Sequence, residues 1–273
     1  MRDSAESQGS LQQTFRNSLI EGACLDVLKS VPTDAVDMIL CDLPYGTTQN
    51  KWDSVIDLDD LWTEYLRVAK PDAAIVLTAQ GLFTAQLIMS RPKLFKYKIV
   101  WEKSKATNFL NAKKQPLRKH EDICVFYRKQ PTYNPQMREG TPYDKGNRKD
   151  QLSGSYGDFK TAHVRSDGQR YPPDIVYFKT AESEPERTVW HATQKPVALG
   201  RYLVRTFTNP GDLVLDSCFG SGSFPLAAFL EERDYLGIEL NSNSELFKSA
   251  PVDYIQVAED RLRAHGADPR VVR

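Results

Sequence analysis

The chain has 273 residues, 40% hydrophobic and 10% aromatic, enough for the packed core of one large α/β domain or two smaller ones. Its 15 Gly and 16 Pro exclude collagen-like and low-complexity readings, and no apolar run approaches the ~20 residues that cross a bilayer. Basic and acidic residues balance at 36 each, but residues 91–170 hold 19 basic against 8 acidic, +11, leaving −11 elsewhere. A basic middle between acidic ends suits a polyanion-binding segment, and equally a solvated charged face.

The polar start, Met1–Gln13, has no apolar segment and is expected to be a tail (residues 1–16) rather than a signal peptide. Strands are predicted at Ser18–Glu21, Val36–Cys41, Ala74–Thr78, Tyr97–Trp101 and Ile123–Tyr127, then at Leu213–Leu215 and Tyr235–Glu239. Several are continuous rather than alternating runs, as in strands covered on both faces. Helical spacing marks Leu58–Ala69, Pro196–Phe207, Ser223–Glu232 and Ile255–His265. Strands alternating with helices predict an α/β fold with a mainly parallel, doubly wound, Rossmann-like sheet of seven strands. Residues 131–193 break the pattern: long, aromatic and rich in Gly, Pro, Asp, Lys and Arg, they are expected to be an inserted recognition region. It separates residues 17–130 from residues 194–265, and residues 266–273 are expected to be a second tail. Cys24, Cys41, Cys124 and Cys218 are too dispersed for metal-ligand spacing, so no metal site is expected. Free thiols in apolar runs fit a reduced, cytoplasmic protein.

Two segments carry chemistry. Asp216–Ser223 (DSCFGSGS) joins a strand to a helix through two glycines, and Glu239 ends the next strand. That arrangement suits a nucleotide-like ligand held at the helix amides with its ribose on the acid, though a merely structural turn has the same look. No Gly-Lys-Ser/Thr comes after it, so it is not a phosphate loop. Asp42-Leu43-Pro44-Tyr45 lies beyond the carboxyl end of Val36–Cys41, where open α/β sheets bind ligands. Two acceptors (the Asp42 carboxylate and the Leu43 carbonyl), a stiffening proline and an aromatic plate suit a planar group bearing NH₂; a plain strand-ending turn is the alternative.

Asp42–Tyr45 resembles the Asp-Pro-Pro-Tyr motif of amino-group DNA methyltransferases, and Asp216–Gly222 resembles their S-adenosylmethionine loop. Gly22–Leu28, Lys119–Tyr127 and His191–Leu199 match further motifs in order, over residues 17–265. The Asp42 motif precedes the glycine loop by 174 residues, the permuted order of the β group. Asp42–Asp53 and Phe109–Gln136 are similar to short adenine-specific methylases of phages and prophages. The resemblance implies the S-adenosylmethionine-dependent methyltransferase fold and transfer of a methyl group to the exocyclic amine of a flipped base in double-stranded DNA. Adenine N6 is the expected target and cytosine N4 the alternative, with Asp rather than Ser at position 42 favouring adenine. An RNA or small-molecule methylase and a non-catalytic DNA-binding relic are disfavoured.

The implied catalytic set is Asp42, Leu43, Pro44 and Tyr45: the first two hold the amino hydrogens, Tyr45 stacks on the base, and Asp42 as proton acceptor stays open. The implied cofactor set is Cys24, Asp216, Phe219, Gly220, Ser221 and Gly222, with Glu239 on the ribose and Thr193, Gln194 and Lys195 closing the site. Ala23 stands where the family often has Asp, and Cys218 where it has an aromatic residue, with Phe219 displaced by one. Lys113, Lys114, Arg118 and Lys119 are expected on phosphates, and Arg165 and Arg170 on bases. No membrane partner is expected, and a homodimer is left open.

Overall fold

The computed structural model describes residues 15–46, 56–147, 163–184, 188–191, 193–241, 246–247 and 250–273. Most of the polar N-terminal stretch, residues 47–53 of the segment after Tyr45, and residues 148–162 of the expected recognition region lie outside these.

Among the described residues nine strands make the main sheet: β1 (Ser18–Glu21), β2 (Val36–Cys41), β3 (Ala69–Ala79), β4 (Phe95–Thr107), β5 (Arg118–Phe126), β6 (Ile175–Phe178), β7 (Leu213–Asp216), β8 (Asp234–Glu239) and β9 (Arg270–Val272). Their order is β6-β4-β5-β3-β2-β7-β8-β1-β9. Only β5 runs against its neighbours; every other pairing is parallel. The Rossmann-like, mainly parallel architecture is as expected, with nine strands rather than seven. The additions are edge strands, β6 beside β4 and β9 beside β1. Residues 266–273 are therefore not a tail, since the backbone of residues 270–272 extends the sheet.

Alternation along β2 explains why its run is apolar throughout. Met38 and Leu40 enter one core layer with Leu199, Leu203, Phe224 and Ile255, from helices α4 (Val197–Phe207), α5 (Ser223–Leu230) and α6 (Tyr254–Ala264). Ile39 and Cys41 enter the opposite layer with Leu28, Trp62, Tyr65 and Phe83, from α1 (Cys24–Leu28), α2 (Leu58–Val68) and α3 (Leu82–Ser90). A strand buried on both faces has no polar side to show. Asp57 caps α2 by accepting from the backbone N–H of Asp59 (2.9 Å) and Asp60 (3.0 Å), and Asp253 caps α6 from Gln256 N (3.1 Å).

From β2 the chain winds outward through β3, and from β7 it winds the other way through β8. The adjacent pair β2–β7 is thus the point where strand order reverses, and the crevice beyond its carboxyl ends is the binding position of such sheets.

Pro135–Pro173 forms a second compact unit, narrower than the expected 131–193, because residues from Asp174 onward return to the main unit and supply β6. Within it Arg138–Glu139 pairs with Gln169–Arg170, and Tyr143–Asn147 pairs with His163–Ser166. His163 Nε2 meets Asp144 Oδ1 at 2.7 Å.

Candidate active site

Asp42 comes directly after the last residue of β2 and Asp216 is the last residue of β7, so the central parallel pair brings the two chemistry-bearing segments together. They line one cavity of about 850 Å³, within the roughly 300–1,000 Å³ range of small-molecule sites. Asp42, Leu43, Pro44, Tyr45, Cys24, Thr193, Gln194, Lys195, Asp216, Phe219, Gly220, Ser221 and Glu239 all line it.

At the β2 end, Tyr45 Oη lies 2.7 Å from Asp42 Oδ1 and 3.0 Å from Thr78 Oγ1, and the Thr78 hydroxyl donates to the same Asp42 oxygen. Lys195 Nζ donates to Asp42 Oδ2 at 2.6 Å. Lys195 also sits 3.3 Å from Glu121 Oε2, and Glu121 pairs with Lys103. The result is a buried row of alternating charge, Lys103–Glu121–Lys195–Asp42. Burial pushes the Lys195 ammonium down, but Asp42 and Glu121 outweigh it and hold the group above its ordinary value. Burial likewise pushes the Glu121 carboxyl up, and Lys195 and Lys103 reverse this and hold it below. Burial and the Asp42 charge keep the Tyr45 phenol protonated, well above its ordinary pKa. The Tyr45 ring stacks on Phe83 (centroids 5.1 Å apart, 26° between planes) and carries Lys195 Nζ 5.6 Å from its centroid. The ring is thereby held as a plate. Among the described residues no backbone donor outside the regular elements lies on the Leu43 carbonyl.

At the β7 end, Glu239 accepts from Gly220 N (2.8 Å) and Asn241 N (3.2 Å), while burial raises its pKa. Asp216 accepts from Cys218 N (3.2 Å), and burial together with the neighbouring Cys41 raises its carboxyl well above the ordinary range. Gly220 has φ +51°, and a Cβ there would meet nothing closer than His191 Cδ2 at 4.0 Å, so backbone faces open cavity. Ser221 Oγ donates to Gln194 Oε1 (3.1 Å), tying the glycine loop to the segment before α4. His191 packs edge-on against Tyr254 at 5.0 Å, and burial lowers its pKa to about 4, so it is a neutral wall.

Three expectations need correction. Gly222 does not line the cavity: with φ +79°, it begins α5, and a Cβ would sit 2.6 Å from Ala258 Cβ. Its small size serves packing of α5 on α6. Gly222→Val should therefore cost roughly 2–4 kcal/mol of stability by strain and overpacking, read as a lower urea midpoint. Loss of cofactor affinity at unchanged stability would return this glycine to the ligand.

Lys195, expected on the cofactor, has its ammonium on Asp42. Arg170, expected on a base, has its guanidinium engaged within its own unit: it donates to Ser166 Oγ and the Thr141 carbonyl and lies 4.6 Å from the Tyr143 ring. Its donors join the two antiparallel strand pairs of that unit. Arg165 is exposed.

Of the basic residues expected on phosphates, Lys113 and Lys114 are exposed, Lys119 is exposed but paired with Glu102 at 2.8 Å, and Arg118 lines the cavity. Thr78, Lys103 and Glu121 join the site without a sequence signal that names them. Thr78 is hidden in an apolar strand, and Glu121 opens the run of β5 that is buried without a break to Phe126.

Residues 36–246 match the DNA methylase family of N6 and N4 methyltransferases. The chain belongs to this family. Its motif order makes it an amino-group DNA methylase of the β group. This methylase is 28% identical over 239 residues to the DNA adenine methyltransferase YhdJ of Escherichia coli (strain K12), covering 82% of this chain and 79% of that protein. It is 23% identical over 290 residues to the type II methyltransferase M.HinfI of Haemophilus influenzae, covering 93% of this chain and 70% of that one. Among solved structures, the M1.HpyAVI–SAM complex aligns with a TM-score of 0.59 at 21% identity, over 90% of this chain and 99% of that one. The cytosine-N4-specific PvuII DNA methyltransferase aligns with a TM-score of 0.58 at 14% identity, over 93% and 94%. These structural likenesses establish the methylase fold.

Proposed function

We propose that this methylase transfers the methyl group of S-adenosylmethionine to N6 of an adenine turned out of duplex DNA at a specific site. The observation that carries the reading is that Asp42 and Leu43, the first residues beyond β2, line the same cavity as the Asp216–Ser221 loop. Asp at position 42 and the likeness to an adenine methyltransferase support adenine over cytosine.

The cavity fits the cofactor by its own chemistry. Two buried carboxyls, Asp216 and Glu239, and the open backbone at Gly220 offer acceptors and close approach to a cationic, ribose-bearing molecule. Asp216, Phe219, Gly220 and Ser221 would hold its methionine end, Glu239 its ribose, with Cys24, Thr193 and Gln194 on the walls. When bound, S-adenosylmethionine supplies an electrophilic methyl group on a sulfonium.

The chain's own residues prepare the nucleophile. The amine's lone pair is delocalised into the base, so it attacks poorly while planar. Asp42 and the Leu43 carbonyl, by accepting one hydrogen each, orient the nitrogen and favour its pyramidal, reactive form. Tyr45, backed by Phe83, supplies a stacking face that offsets part of the cost of unstacking. Lys195 and Thr78 fix the carboxylate that does the orienting.

The test is to methylate duplex DNA with the purified protein, digest it to nucleosides and identify the product by mass spectrometry. N6-methyladenine is expected. N4-methylcytosine would overturn the adenine assignment, and no methylated nucleoside in any duplex would overturn the activity.

A further inference from the structure

We propose that Phe109 and Leu110 form an apolar wedge that enters the duplex and fills the gap left in the base stack by the extruded nucleotide. This rests on the reading of the protein as a base-flipping DNA methylase.

The loop in question joins β4 to β5, whose last paired residues are Thr107 and Arg118. Both line the active-site cavity, so the residues between them project from its rim. The loop is built rather than slack. Asn108 takes the left-handed conformation (φ +74°), and Phe109–Asn111 make one 3-10 turn. The Asn111 amide donates to Asn108 Oδ1 (2.8 Å), Ala112 N to the Phe109 carbonyl (3.1 Å), and Lys114 N to the Asn111 carbonyl (2.8 Å).

On this held turn Leu110 is 101% exposed and Phe109 68%. A leucine with its whole surface in water contributes nothing to the core, and a turn that holds it out beside a large aromatic keeps two apolar side chains where folding gains nothing. Lys113 and Lys114 come three and four residues after Leu110, exposed and without an ion pair among the described residues. An apolar tip with free ammonium groups at its base is the chemistry of a wedge in nucleic acid: side chains between bases, cations on the flanking phosphates. A wedge of this kind matters most where a base leaves the stack, and here it stands at the rim of the cavity that would receive that base.

The experiment compares wild type, Leu110→Ala and Phe109→Ala/Leu110→Ala in single turnover on two duplexes with a site that wild type methylates. In one duplex the target base is paired; in the other it faces an abasic position and is already loosened. The wedge predicts ~10–100-fold slower methylation of the paired duplex by the double variant, against less than ~3-fold on the loosened one. Leu110→Met, which restores bulk, should recover the paired rate to within ~3-fold of wild type, and 2-aminopurine at the target should brighten less with the double variant. Because Leu110 is solvent-exposed, the single variant should melt with wild type.

Equal losses on both duplexes, or an undiminished rate on the paired one, would overturn the wedge while leaving the methylase reading intact. Failure of wild type on both duplexes would instead overturn the reading on which the wedge rests.

Discussion

Asp42→Ala is expected to abolish methyl transfer, with kcat down on the order of 10³-fold or more, while cofactor affinity should stay within about tenfold of wild type. The asymmetry comes from position. Asp42 stands at the end of β2 with Thr78, Tyr45 and Lys195 around it, whereas the acceptors assigned to the cofactor stand at the ends of β7 and β8. On the proposed reading, removing the carboxylate takes away one of two acceptors for the target amine, together with the group that Lys195 holds in place. The Leu43 carbonyl alone leaves one amino hydrogen unbound and the nitrogen free to remain planar. A single preorganised contact of this kind is worth about 10²–10³ in kcat, and here the loss of orientation adds to it. Single-turnover transfer of labelled methyl groups reads the first quantity and titration calorimetry with S-adenosylmethionine the second. Turnover above about 5% of wild type would remove Asp42 from the chemistry; a collapse of cofactor affinity with normal turnover at saturation would move it to the cofactor site.

Much of the centre of this molecule is legible in its sequence because the relevant signals are local. The strand Val36–Cys41 has the same bounds in the structure as in the pattern, since a β-branched and aliphatic run between turn residues has few other readings. The Asp42–Tyr45 segment just beyond its carboxyl end stands where such sheets bind ligands, and its likeness to the Asp-Pro-Pro-Tyr motif is what sets it apart from a plain strand-ending turn. The features that escape a sequence reading depend on distant pairs or on missing contrast. Helix α3 (Leu82–Ser90) shows no periodicity: Phe83 and Leu87 are buried, but Leu82 and Met89 are exposed, so no polar face offsets the apolar one. Strand β9 is three residues pairing with a segment at the other end of the chain, and nothing in Arg270–Val272 announces it. Gly222 and Arg170 show a different limit. Both residue types signal constraint, a glycine where a side chain cannot fit and an arginine that makes several hydrogen bonds. Neither signal names the partner: Ala258 for one, the second unit's own backbone and Tyr143 for the other.

The charge row has the same character, and it carries the second large effect. Lys103, Glu121, Lys195 and Asp42 come from β4, β5, the approach to α4 and the end of β2, so no window of sequence contains the pattern. Lys195→Met keeps length and volume but removes the ammonium from between two carboxylates. Breaking a buried pair by deleting one partner costs about 3–5 kcal/mol, and the Lys195 and Glu121 side chains are only 6% and 10% exposed. In wild type the Glu121 carboxyl is held below its ordinary value of 4.5, so its contribution to stability is present above that pH and is lost as the pH falls through the lowered value. Without Lys195, burial is opposed by Lys103 alone and the folded-state pKa rises; the ionised form then costs stability that protonation would restore. The stability gap between wild type and Lys195→Met should therefore be widest near neutral pH and narrow towards pH 4.5, as read from urea midpoints across that range. In activity, kcat should fall about 100-fold through a misoriented Asp42, with KM for S-adenosylmethionine changed less than about threefold. Lys195→Arg, which keeps the cation, should recover part of kcat. If KM rises and kcat holds, the ammonium belongs to the cofactor, as the sequence resemblance has it, and the contact with Asp42 is incidental to turnover.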